Sequence, residues 1–135
     1  MLLALSVLLL ASEVETERKI YDAILHALLP KDQKPIRLWS DSQTLVKELE
    51  PLDDVKVVKK IDKADIAIIT KKMPPKCRCI PFVTSYRLLK EYKDKAVGGF
   101  FWQKGRPNIL FLKNNLQKAG LKLPQSMQQF VEDDL

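Results

Sequence analysis

Residues 66–70 read Ile-Ala-Ile-Ile-Thr, and this stretch decides the fold class. Apolar residues in unbroken succession leave no side of the segment for water. A strand with one wet face alternates polar and apolar residues, whereas a strand inside a parallel sheet, covered on both faces, does not. The segment therefore predicts a central strand between two helical layers.

The flanks supply the other strands and the layers. Ile36-Arg37-Leu38-Trp39 and Val55-Lys56-Val57-Val58 read as short strands, and Cys79-Ile80-Pro81-Phe82-Val83 as another, with Pro81 suggesting an edge or a bulge. Between them, Ser40-Asp41-Ser42 caps a helix over 43–50 that ends before Pro51, and Ser85 caps a helix over 86–92. Upstream, Val14, Ile20, Tyr21, Ile24, Leu25 and Leu28 recur at helical spacing until Pro30. Downstream, strands over 97–103 and 108–112 flank Lys104-Gly105-Arg106-Pro107, which reads as a hairpin turn. A helix from Asn114 or Asn115 to Gly120 and a last one over 124–131 complete the chain. The expected fold is a single-domain three-layer α/β sandwich: a mixed, mostly parallel sheet with a C-terminal β-hairpin and helices on both faces.

A chain of 135 residues has room for one such domain. Hydrophobic residues at 46% and charged residues at 30% exclude disorder, and no internal repeat is present. The net charge of +6 is uneven: residues 71–122 hold thirteen Lys or Arg against Glu91 and Asp94, a local +11. Such a half attracts an acidic partner surface, anionic lipid or nucleic acid.

Residues 2–11 (Leu-Leu-Ala-Leu-Ser-Val-Leu-Leu-Leu-Ala) precede the charged stretch from Glu13. The run is far short of the roughly 20 residues that cross a bilayer as a helix. Its layout is that of a secretory signal, with 1–12 removed and 13–135 the mature domain. Export to a periplasm makes nucleic acid an unavailable partner.

Chemistry-bearing motifs are sparse. There is no phosphate-binding glycine loop, zinc-protease helix or nucleophile elbow. Gly98-Gly99 lies within a strand and reads as a bulge or close backbone packing, while Asp53-Asp54 reads as solvated charge. The single His26, mid-helix beside Ala and Leu, reads as a partly buried structural residue. No metal, cofactor or catalytic residue is expected. Cys77-Arg78-Cys79 would place its thiols about 7 Å apart on a strand. Either they stay as half-buried thiols, or a local turn lets them form a disulfide. In open α/β sheets ligands collect beyond the carboxyl ends of the strands. Ser40, Asp41, Thr84, Ser85 and Arg87 fall there, as candidates for a small solute or anion, with helix capping the alternative for the serines. Trp102, Lys104 and Arg106 on the hairpin form a candidate partner surface.

The blocks Pro81-Phe82-Val83-Thr84-Ser85, Val97-Gly98-Gly99-Phe100-Phe101, Lys104 through Leu112, and Ala119-Gly120-Leu121-Lys122-Leu123 resemble the closing blocks of the YfiR-like family of small exported bacterial proteins. The likeness covers roughly residues 79–131, and 36–70 by strand order alone. It implies a periplasmic α/β domain that docks on a membrane-bound signalling protein, a diguanylate cyclase or a sensor kinase, and modulates it. It also implies that cysteine redox state influences stability. Pro124 stands where that family usually has Ser. A single lobe of a periplasmic solute-binding protein is the alternative resemblance, and implies a small ligand-binding sensor.

Overall fold

The computed structural model describes residues 2–29, 34–75 and 77–135, with side chains from Glu13 onward. The sheet has seven strands: β1 (Ile36–Ser40), β2 (Val55–Val57), β3 (Ile66–Ile69), β4 (Ile80–Val83), β5 (Gly98–Gln103), β6 (Arg106–Leu112) and β7 (Val131–Glu132). Their order is β2-β1-β3-β4-β5-β6-β7. β1 to β5 run parallel, β6 is antiparallel to β5, and β7 is parallel to β6. The parallel part has a doubly wound order, with its switch point between β1 and β3.

α1 (Leu2–Leu28) and α2 (Gln43–Leu49) cover one face, and α3 (Tyr86–Glu91) covers the other; α4 (Lys113–Lys118) follows the hairpin. Among the described residues no helix is long and apolar enough to cross a membrane. The leader assigned to residues 1–12 concerns side chains outside the described set. On α1, Tyr21, Ile24, Leu25 and Leu28 are buried at the spacing that puts them on one stripe, while Val14 is exposed. They meet Leu38, Ile66, Ile68, Phe82, Phe100 and Phe111 from the sheet. Ala67, Ile69 and Val83 point the opposite way, against Leu88 and Leu89 of α3. All four residues of β3 are fully buried. A three-layer α/β sandwich with a mostly parallel sheet is therefore the fold, as the Ile66–Ile69 run requires.

Local details follow from side-chain chemistry. Ser42 Oγ accepts from Leu45 N at 3.2 Å and Ser85 Oγ from Leu88 N at 3.1 Å, so each serine starts its helix. Asn115 is buried and ties α4 to the segment before β5, its Nδ2 donating to the carbonyls of Lys93 (2.7 Å) and Ala96 (2.6 Å).

Several expectations change. The hairpin turn is two residues long: Lys104 (φ 53°) and Gly105 (φ 75°) are both left-handed, and Gln103 already pairs with Arg106. This is the tight turn whose twist matches the strands it joins, so Arg106 and Pro107 belong to β6. Pro81 is in a central strand, neither at an edge nor in a bulge. Its carbonyl receives Val97 N at 2.9 Å, and the β4–β5 ladder begins only at Phe82, so the missing N–H interrupts no pairing. Residues 124–131 form no α-helix. They make a 3-10 segment, Gln125–Phe130, and then β7, because Val131 finds Phe111 as a strand partner.

Of the two readings of Gly98-Gly99, close backbone contact holds and the bulge does not: Gly98 and Gly99 pair in regular register with Phe111 and Leu110. A Cβ on Gly98 would lie 2.5 Å from the Leu110 carbonyl and 2.8 Å from Phe111 Cδ1. Neither neighbour is a free side-chain end, so Gly98→Ala is expected to cost about 2 kcal/mol by overpacking. Chemical denaturation measures it; a loss under about 0.5 kcal/mol would show that the hairpin shifts at little cost.

Candidate functional site

At the switch point the chain leaves β1 through α2 on one face, and after β3 Met73, Cys77 and Cys79 pack on the other. The two strand ends would splay there without a fastener. Asp41 supplies one: Oδ1 accepts from Thr70 N (2.8 Å) and Thr70 Oγ1 (2.7 Å), and Oδ2 from Lys71 N (2.9 Å). Next along, Thr84 Oγ1 donates to the Ile69 carbonyl at 3.1 Å. Asp41→Ala is expected to cost about 1.5 kcal/mol, the scale of charge-assisted bonds partly replaced by water. It is also expected to speed hydrogen exchange at the Thr70 and Lys71 amides. Unchanged exchange there would deny Asp41 the fastening role.

Beside this fastener lies a crevice of about 190 Å³. Strand ends give it the hydroxyls of Thr70 and Thr84; α2 and its cap give Ser42, Thr44, Leu45 and Glu48. Glu17 and Tyr21 of α1 close it from above, and Phe100, Phe101 and Trp102 of β5 form the far wall. Tyr21, Phe100 and Trp102 make a chain of edge-to-face rings, with centroids 5.2 Å apart (Tyr21–Phe100) and 6.0 Å apart (Phe100–Trp102). Trp102 Nε1 donates to Glu17 Oε1 at 3.2 Å and so orients that carboxylate.

Glu48 is the unusual group. Its Oε2 is buried without a hydrogen-bond partner among the described residues. Burial first, then the hydrogen bond with the Glu17 carboxylate and that group's charge, push its carboxyl up to about 8. Arg18 opposes the shift weakly, and its Nε donates to the Glu48 carbonyl at 2.7 Å. At neutral pH the pair Glu17–Glu48 thus holds one proton between two carboxyls. Burial and the same two acids also push the Tyr21 phenol upward, so it stays a neutral hydroxyl.

The residues singled out from the sequence separate here. Thr84 lines the crevice. Ser40 is buried below it, its Oγ accepting from Ser42 N at 3.2 Å. Asp41 is the fastener, Ser85 is the cap of α3, and Arg87 turns to Glu91 at 3.4 Å on the outer face of α3. Trp102 lines the crevice while staying 37% exposed, and Lys104 and Arg106 are exposed at the hairpin tip with Gln103 and Asn108.

Cys77 and Cys79 are bonded to each other, with Cα atoms 5.1 Å apart. They precede β4 rather than belonging to it, which removes the 7 Å strand separation as an obstacle. With Arg78, Lys95 and Lys118 they line a separate shallow groove. His26 corrects another expectation: it is exposed in the last turn of α1, with Nδ1 2.8 Å from the Asp22 carbonyl and Nε2 3.0 Å from Asp54 Oδ2. These bonds hold His26 above its ordinary value, and the His26 bond holds the Asp54 carboxyl below its own. Asp54 thus bonds His26 and pairs with Lys34 Nζ at 3.7 Å, and is no mere solvated charge.

No family model matches the chain, and no curated protein or solved structure matches it either. The site is therefore read from its own geometry. Sequence reasoning missed Glu17 and Glu48, although a signal existed for the first. Glu17 stands four residues before Tyr21, on the stripe of α1 that faces the sheet.

Proposed function

We propose that this protein is a non-enzymatic binding module that takes a small ligand in the switch-point crevice and presents its hairpin to a partner protein. The observation that carries the reading is the double position of Trp102. Its ring lines the crevice and holds Glu17, and the same residue lies on the exposed hairpin strand two residues from Lys104. A ligand that moves Glu17 therefore alters the surface a partner meets. The exposed Tyr86, in ring contact with Phe101 at 5.9 Å, extends that surface, and Lys104 and Arg106 border it with positive charge. Aromatic residues rimmed by cations are common in protein interfaces.

The partner proposed, on the resemblance of the C-terminal blocks, is a membrane-bound signalling protein of the diguanylate cyclase type, met in the periplasm after export. The small solute-sensing lobe is the same crevice acting without that partner.

The test is a screen of small metabolites against the Trp39→Phe protein, in which Trp102 is the sole indole. Ligands should shift both the Trp102 emission and the melting temperature, and Thr44→Phe, which fills the crevice, should abolish both shifts. Ligands that stabilise the protein equally in the Thr44→Phe form would place binding elsewhere and end this reading. For the partner, reversing charge at Lys104 and Arg106 should slow association with a partner captured from solubilised membranes, the defect shrinking as salt rises. Wild-type association rates at low salt would remove the hairpin tip from the interface.

A further inference from the structure

The crevice is chemically at odds with the protein that carries it. The chain has a net charge of +6, and residues 71–122 alone carry +11. Yet among the described residues the crevice is lined by two carboxyl side chains and by no Lys or Arg. The other cavities outside it include basic residues: Arg78, Lys95 and Lys118 at the disulfide, and Lys104 and Arg106 at the hairpin tip. An anion finds better company in those places than here, and a cation finds better company here.

Three further features converge. The wall opposite α2 is the chain of rings Tyr21–Phe100–Trp102, and a cation within about 6 Å of an aromatic centroid is attracted by the ring quadrupole. Glu17 is held in place by Trp102 Nε1, so this carboxylate is positioned before any ligand arrives. Glu48 Oε2 is buried and lacks a partner among the described residues, so it wants a donor that the protein itself does not provide. The volume, about 190 Å³, corresponds to roughly six water molecules at about 30 Å³ each. A ligand of a few carbons fits.

We propose that the crevice binds a small organic ammonium ion, with Glu17 and Glu48 receiving its N–H donors and the Tyr21, Phe100 and Trp102 rings enclosing its alkyl part. The proposal rests on the reading of this crevice as the ligand site. The carboxyl pair holds one positive charge in either state. In the empty protein that charge is the proton shared by Glu17 and Glu48. In the complex it is the ammonium group, and the proton leaves to solvent as the ion enters. Uptake of one ammonium ion therefore releases one proton and leaves the charge of the crevice unchanged. The charged and titratable groups around the pair are Arg18 and Tyr21 on α1, and neither replaces the missing donor: Arg18 Nε is spent on the Glu48 carbonyl, and Tyr21 remains neutral.

n-Butylammonium, butyrate and n-butanol share a carbon skeleton and differ in charge, and so test the class directly. Each is titrated into the Trp39→Phe protein between pH 6 and pH 9, following Trp102 emission, and into the wild type by calorimetry in two buffers of different ionisation enthalpy. n-Butylammonium is expected to bind at least tenfold more tightly than either of the others. Its affinity should rise with pH up to about 8, and the buffer dependence should report close to one proton released near pH 6 and none near pH 9. Glu48→Gln should weaken it at least tenfold and abolish the proton release, whereas Glu91→Gln on α3 should change neither. Butyrate or butanol binding as well as the ammonium overturns the ligand class while leaving the crevice as the ligand site. If none of the three binds, the class also falls, and the crevice reading falls with it only if the wider screen yields no ligand sensitive to Thr44→Phe.

Discussion

Phe82→Ala is expected to lower the free energy of unfolding by about 4 kcal/mol, within the range for a fully enclosed aromatic residue cut back to a methyl. Phe82 has no exposed surface. It stands on the central strand β4, edge-on to Tyr21 of α1 at 6.5 Å and tilted against Phe111 of β6 at 6.2 Å. Removing the ring opens a void where helix, central strand and hairpin strand meet. Those neighbours are themselves held in the sheet or on α1, so the void cannot close by a single rotamer change. A domain of this size has about 5–15 kcal/mol in total, so the variant should stay folded at low temperature and lose a large share of its margin. The midpoint in urea should fall with the slope unchanged. A loss below about 2 kcal/mol would mean that α1 settles onto the sheet far more freely than its buried stripe suggests.

What was legible in the sequence is what local chemistry controls. The Ile66–Ile69 run has no polar side, so it could only be a doubly covered strand. Ser42 and Ser85 stand where an extended residue meets a helix, and their hydroxyls bond the first turns. Gly105 marked the hairpin turn, although the turn closes in two residues, Lys104 and Gly105, rather than four. What stayed hidden depends on partners far along the chain. Val131 becomes a strand residue only because Phe111 offers an open edge, twenty positions back. His26 is set by Asp54, a separation of 28 residues. The same limit divides the candidate site. The hydroxyls at the strand ends were readable because every parallel strand ends at the same edge of the sheet. The carboxyl pair was not, because Glu17 and Glu48 belong to different helices that each look amphipathic and well solvated alone. Only α1 lying beside α2 turns two ordinary surface acids into one proton-sharing site.

Glu48→Gln is expected to make the protein more stable than wild type at alkaline pH and no different in acid. Glu48 has a carboxyl near 4.5 when unfolded and near 8 when folded. A group whose folded value is raised binds its proton more tightly in the native state, so its contribution is fully present below about 4.5 and lost as pH rises through about 8. The physical content is the cost of a second negative charge, half-buried beside Glu17, with Arg18 as the one cation acting on it among the described residues. Each unit of difference is worth about 1.4 kcal/mol, and allowing for the water that still reaches the crevice, the full effect is about 3 kcal/mol. Glutamine keeps the size of the neutral acid and can donate an N–H to Glu17, yet has no proton to lose. His26 also favours the fold more at low pH, since its folded value is raised, but it is present in both proteins and cancels in their difference. Unfolding curves for the two should therefore coincide near pH 4, separate steadily to pH 8, and run parallel above it. Curves that stay together up to pH 9 would show that Glu48 ionises freely, and would take with them the shared proton that the ammonium ion is proposed to displace.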